Sequence, residues 1–398
     1  MLFTPERHEP VTDSPFVESA ARGAIDTIVA RTEAELDRAD GRWPLDGADR
    51  EREDEGPSSA LYHGASGIVW ALGELAGEPV FDRQFVESLE PKLAAEVDPT
   101  NYAEHGVWFG PAGAVAVAEH FWPDGSRRDR LEELARASLA DPELEIMFGH
   151  PGYMALAAEL YARTGEQRWA ELWHAGADRL FEEWRYDEAL RAWCWTQSFR
   201  GRDARYVGAA HGLIGNINVL LRGGDLLDAE RRREVEARTV ETLTSLAVVE
   251  DGRANWPPGA GDSLIANDRI RVQWCHGAAG VVSTLWSVAP EDGTWSELLL
   301  AGGRLVWETG PIRDAPGLCH GTAGNAYAFL GLWKRTGDEE WLERAHAFAV
   351  HAAEQVEERY ARLGHAHHSL FSGDEGVAMC LASCIAGDAA MPIADGLI

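Results

Sequence analysis

Two stretches of this chain read C-H-G-x-x-G: Cys275-His276-Gly277 with Gly280, and Cys319-His320-Gly321 with Gly324. Their cysteines hold equivalent positions in what look like neighbouring copies of one unit. Two thiolates and an imidazole form a good donor set for zinc, Zn2+. Each cysteine is followed by a histidine, so spacing alone leaves His276 and His320 both open as the third ligand. Three protein ligands would leave one corner for a reactant, the mark of a catalytic zinc; both histidines together would close a structural one. His211, in AAHG, stands at the matching place in the preceding copy and is suited to moving a proton. Arg271, four residues before Cys275, suits a developing oxyanion. Glu145, four before Gly149, is a carboxylate expected at the same rim and able to orient His211. His63, His105 and His150 lie on copies far from the cysteine pair and read as structural. Cys194, Cys380 and Cys384 read as buried core thiols. Five cysteines are an odd count, which argues against a disulfide framework.

What positions these residues is a repeat. G-x-x-G followed by an apolar run occurs seven times, with first glycines at 64, 110, 149, 212, 277, 321 and 373. The preceding residue is His or aromatic in every copy except the last, where it is Ser372. The runs after the glycines are apolar nearly all round and predict buried helices. Between them lie stretches with three- and four-residue apolar spacing, such as RRREVEARTVETLTSL and WLERAHAFAVHAAEQVEERYARL, which predict amphipathic helices. Alternating buried and amphipathic helices predict an all-α fold, an α/α toroid of seven inner and seven outer helices. The whole chain, 1–398, reads as one such domain. The glycines are expected where neighbouring inner helices crowd at one rim, and the polar residues before them should meet on the axis.

The chain has 36 basic and 66 acidic residues among 398, a net charge of −30. That field disfavours nucleic acid and anionic membrane as partners. Lysine occurs only at Lys92 and Lys334; this pattern fits either work at high salt or Arg-favouring codon usage. No apolar stretch is long enough to span a membrane, and MLFTPERHEP is unlike a secretory signal, so a cytoplasmic location is expected. Asp49 to Gly56, DREREDEG, reads as a solvated charge run, and the tail after Cys384 as a segment that frays.

WCHGAAG, GLCHGTAGNAYAFL, YVGAAHGLIGN and HHSLFSGDEG resemble the lanthionine synthetase C-like proteins, from about Leu61 to Ala386. The resemblance implies a seven-fold α/α toroid with zinc at one end, held by Cys275, Cys319 and His320. It implies an active-site histidine at His211, an arginine at Arg271 and, by distance to the glycine, an acid at Glu145. The implied activity joins a thiol to dehydroalanine or dehydrobutyrine in a peptide or protein, forming a thioether. The thiol would come from the same peptide or from a small molecule. Eukaryotic-like members carry a basic residue tied to glutathione before the second C-H-G; here Asp314 stands there, beside Arg313. The sequence shows no dehydratase segment, so the alkene is expected to be made elsewhere. Three other readings make different demands. A prenyltransferase-type zinc needs Asp, Cys and His, which the paired cysteines do not match. A toroidal glycosidase needs two facing carboxylates. A zinc-stabilised scaffold that binds a peptide or thiol without turnover needs a closed metal site.

Overall fold

The computed structural model describes residues 1–50, 53, 55–97, 105–199 and 202–398. Its helices are α1 (Glu18–Ala34), α2 (Ala65–Ala76), α3 (Arg83–Glu87), α4 (Leu89–Glu96), α5 (Pro111–Phe121), α6 (Arg128–Ser138), α7 (His150–Thr164) and α8 (Gln167–Glu183). There follow α9 (Leu213–Leu221), α10 (Ala229–Leu246), α11 (Ala278–Leu285), α12 (Gly293–Thr309), α13 (Thr322–Thr336), α14 (Glu339–Leu363) and α15 (Asp374–Ala386). Each G-x-x-G opens one of α2, α5, α7, α9, α11, α13 and α15, and these make the inner ring. The ring closes where α15 packs on α2. The amphipathic helices lie outside, α3 and α4 together filling one outer place. The expected all-α toroid is thus the observed fold. No helix among the described residues is long and apolar enough to cross a membrane.

Four small antiparallel hairpins among the described residues were not foreseen. They pair β1 (Arg185–Asp187) with β2 (Ala192–Cys194), β3 (Gln197–Phe199) with β4 (Arg202–Ala204), β5 (Val248–Glu250) with β6 (Arg253–Asn255), and β7 (Ile265–Ala266) with β8 (Arg269–Ile270). They occupy the two longest intervals between glycine pairs, before Gly212 and before Gly277.

The glycines answer to a closer constraint than the expected crowding between neighbours. A Cβ on the second glycine of each pair would strike the carbonyl oxygen six residues earlier in its own loop: 2.0 Å at Gly67, 1.9 Å at Gly280 and 1.7 Å at Gly324. The rim loop therefore curls tightly over the start of its own helix, and that curl is the closest constraint on glycine; the neighbouring copy crowds it as well, with Leu61 3.0 Å from a Cβ at Gly113 and Leu318 2.8 Å from one at Gly376. Backbone bonds then tie loop to loop. Tyr62 N–H donates to Trp108 O, Phe371 N–H to Tyr62 O, Cys319 N–H to Phe371 O, and Cys275 N–H to Cys319 O at 3.0 Å. Beneath this rim the rings of Trp108, Trp274 and Phe371 pack together on the axis.

Two expectations fail. The tail after Cys384 does not fray. Met391, Ile393 and Leu397 are buried, Trp70 donates to Leu397 O, and Glu159 accepts from the Leu397 and Ile398 amides. Its apolar residues cover the ends of α2 and α7 at the other end of the ring, a use its small-residue composition concealed. The charge run from Asp49 is also not wholly solvated: the Asp49 side chain is 7% exposed and is held by His367 and Ser372. Of the rest, residues 51, 52 and 54 lie outside the described residues.

The seam between the first outer helix and the last inner one carries a buried charge. His368 donates from Nδ1 to Glu375 (3.1 Å) and from Nε2 to Glu35 (3.0 Å). Burial alone would lower its pKa, but the bonds and charges of the two glutamates outweigh that and raise it to about 9. The imidazolium therefore stabilises the fold fully below pH 6.5, by about 3 kcal/mol, and that contribution is lost as pH rises through about 9. Thermal unfolding should show a midpoint falling by about 4 °C between pH 6.5 and pH 9.5. His368→Gln should lack this pH-dependent component; an unchanged slope in the variant would show that His368 is not its source.

Candidate metal centre

Cys275 Sγ, Cys319 Sγ and a ring nitrogen of His320 lie within 4.8 Å of one another. Both cysteines are buried and His320 is exposed. The backbone bond from Cys275 to Cys319 is what brings the sulfurs together. The two thiols are joined by a hydrogen bond. A hydrogen bond from Cys319 holds Cys275 well below the usual thiol range, and the same bond, with burial, pushes Cys319 up. Gln273 donates its amide N–H to Cys275 Sγ at 2.9 Å, and Tyr62 its hydroxyl to Cys319. One sulfur is thus already prepared to carry negative charge. This fits zinc in donor type, spacing and charge: tetrahedral zinc takes S and N donors at about 2.0–2.3 Å, with donors supported by outer hydrogen bonds.

The two C-H-G motifs are not equivalent in conformation. Gly321 has φ −128°, like the other extended first glycines, whereas Gly277 has φ 102°. At Gly277, Asn255 Oδ1 accepts from both Ala278 N and Trp256 N, and the Gln273 amide donates to His276 O. His276 is thereby turned toward Tyr206 and His211, and burial lowers its pKa to about 4. The alternative left open by spacing falls geometrically to His320.

His211 sits beside this cluster. Its Nδ1 donates to Glu145 at 3.2 Å, and its ring stacks on Phe148. Glu145 is fully buried and also accepts from the Phe148 and Met147 amides, at 2.6 and 3.1 Å. The carboxylate therefore fixes both the rim loop and the imidazole, leaving the basic lone pair of His211 on Nε2. Arg271 is half-buried, close enough to feel the charge of Cys275, and loses basicity to burial and to Arg269. All six residues singled out in sequence thus lie at one rim. His63 and His105 are half-buried, and His150 is buried on Ser138. Cys194, Cys380 and Cys384 are buried as expected.

Sequence reasoning missed Gln273, Tyr62 and Asp49. Gln273 lies two residues before Cys275, and Tyr62, in Tyr62-His63-Gly64, holds in the first copy the place of the cysteine in C-H-G, so both carried a positional signal. Asp49 carried none. A cavity of about 330 Å3 opens beside His320, lined by Asp49, Asp314, Arg359, Arg362 and Phe371 among others. Burial works to raise the pKa of Asp49, but the bonds from His367 and Ser372 bring it below the usual carboxylate range. Asp314 is bound by Arg362 at 2.9 Å.

Comparison with known proteins places residues 57–395 under the family described as "Lanthionine synthetase C-like protein". The chain is 38% identical over 146 residues to "Glutathione S-transferase LANCL1" of Danio rerio, covering 36% of this chain and 34% of that protein. It is 38% identical over 154 residues to "LanC-like protein GCL1" of Arabidopsis thaliana, covering 38% and 33%. These matches span about a third of each relative's length. Among solved structures, "Nisin cyclase" superposes with a TM-score of 0.61 at 14% identity, over 92% of this chain and 94% of that one. At that identity the likeness speaks for the fold.

Proposed function

The chain belongs to the lanthionine synthetase C-like family, and from that premise we propose that it adds a thiol to dehydroalanine or dehydrobutyrine residues of a peptide or protein, forming a thioether. The observation that carries this reading is the juxtaposition of a two-sulfur, one-imidazole cluster with the His211–Glu145 pair. Cys275, Cys319 and His320 would hold zinc, whose chemistry there is to lower the pKa of a thiol at its remaining corner.

The chain's own residues account for the protons. His211 Nε2 takes the thiol proton, with Glu145 holding the ring in the tautomer that can accept it. The sulfur lone pair forms the new bond to the β-carbon of the alkene, and the π electrons move onto the amide oxygen as an enolate. Arg271 is placed to stabilise that oxygen. His211 then returns the proton to the α-carbon, so atoms and charge balance. The aromatic floor of Trp108, Trp274 and Phe371 keeps water from entering beneath the reactants.

The test is mass spectrometry of a dehydroalanine peptide incubated with zinc-loaded protein and a thiol, at low and high salt. Covalent adduct above the uncatalysed rate supports the reading; none with any thiol refutes it. A non-catalytic scaffold predicts the latter, together with a metal closed by a fourth side chain.

A further inference from the structure

The N-terminal segment crosses the metal rim. Asn255 donates to Leu2 O, Ile270 N–H to Thr4 Oγ1 at 2.8 Å, Glu9 N–H to Pro311 O, and Arg313 N–H to Arg7 O at 2.9 Å. These bonds pin it between the β7–β8 hairpin and the loop leading to Cys319. They bring Arg7 beside Arg269 and Arg271, close enough that the three guanidinium groups repel one another.

Within the chain, the Cys275 sulfur offsets only part of this charge, at Arg271. All three are half-buried, and none pairs with a carboxylate among the described residues. Arg269 Nε is buried without an acceptor, and the Arg271 side chain reaches only Ala266 O, at 3.4 Å. Elsewhere in this acidic protein many arginines are held by carboxylates, as Arg31 is by Glu357 and Arg168 by Asp129 and Glu132. In a chain with 30 excess negative charges, three clustered guanidiniums without a carboxylate partner at the mouth of the site are costly unless a further anion joins the Cys275 sulfur in facing them.

We propose that Arg7 and Arg269, with Arg271, form a subsite for a carboxylate carried by the substrate. Guanidinium forks match a carboxylate in shape and charge. The subsite rests on the proposed thioether chemistry and narrows its substrates to pairs in which one partner is anionic near the reacting atoms. It also gives an acidic protein local attraction for a reactant that its overall field repels. The carboxylate has two possible sources, an acidic residue next to the dehydroamino acid or the thiol itself.

The experiment separates them. Dehydroalanine peptides with a neighbouring Glu or Gln are combined with 3-mercaptopropionate or 2-mercaptoethanol, using wild type, Arg7→Gln, Arg269→Gln and the double variant. The double variant should raise KM about 100-fold for the carboxylate-bearing partner, with kcat changed less than about threefold, and leave the all-neutral pair unaffected. Arg7→Lys with Arg269→Lys should restore most of the affinity, which a folding defect would not allow. The arm that responds identifies the source. Equal losses for neutral and acidic pairs, or no loss for either, would overturn the subsite. If wild type forms no thioether, the proposed reaction fails instead. The subsite is then decided by calorimetric binding of 3-mercaptopropionate and of the Glu peptide to the zinc-loaded protein. Tighter binding of either than of its neutral counterpart in wild type, lost in the double variant, supports it; no such difference overturns it.

Discussion

Cys275→Ala and Cys319→Ala should each lose bound zinc and, with it, thioether formation. Free energies of about 10–16 kcal/mol for structural zinc, shared among three protein donors, make each worth about 3–5 kcal/mol, or roughly 10^3 in affinity. The effect should be similar at either position, because each cysteine supplies one of the two sulfur donors. Metal analysis after dialysis checks it: about one zinc per chain in wild type and close to none in either variant. Thermal unfolding without added metal controls for folding, since both side chains are buried at the rim. Retention of a full zinc equivalent by either variant would mean that the cluster is not where the metal sits.

His211→Ala should behave in the opposite way on metal and the same way on turnover. The imidazole is bound to Glu145 and stacked on Phe148, and it lies outside the Cys275–Cys319–His320 group. Removing it should leave zinc content unchanged and lower kcat by about 10^2–10^4, the usual worth of a positioned acid–base group. Glu145→Gln should give a smaller loss: the amide keeps one acceptor oxygen, but its NH2 must then face either the Phe148 N–H or the Met147 N–H and His211 Nδ1. Assays with thiols of falling pKa sharpen the test, because a thiol already ionised needs no proton acceptor and should narrow the gap to wild type. A His211 variant with full turnover would remove it from the reaction, and one without zinc would make it a ligand.

The features that sequence disclosed share a cause. Rim loops curl so tightly that only glycine fits, and each curl delivers the residue before it to the same ring. Glycine pairs therefore marked both the inner helices and the residues that converge. The choice between His276 and His320 could not be read from spacing, because both follow a cysteine in C-H-G-x-A-G, and only the family resemblance pointed to His320. The difference lies in a φ of 102° at Gly277, imposed by Asn255 from a hairpin twenty residues earlier. Asp49 was hidden for a related reason. It sits in a run of charged residues, and what holds it inside the fold is a pair of partners far along the chain, His367 and Ser372. The tail was misread because a small-residue composition says nothing about a surface waiting to be covered by Met391, Ile393 and Leu397.

X-ray absorption at the zinc edge of the purified protein tests the central claim most directly. The expected first shell holds two sulfurs, one imidazole nitrogen and one exchangeable donor that is not a side chain, and it loses a sulfur in Cys275→Ala reconstituted with excess zinc. A shell of four protein donors, or one with fewer than two sulfurs in the wild type, would contradict it.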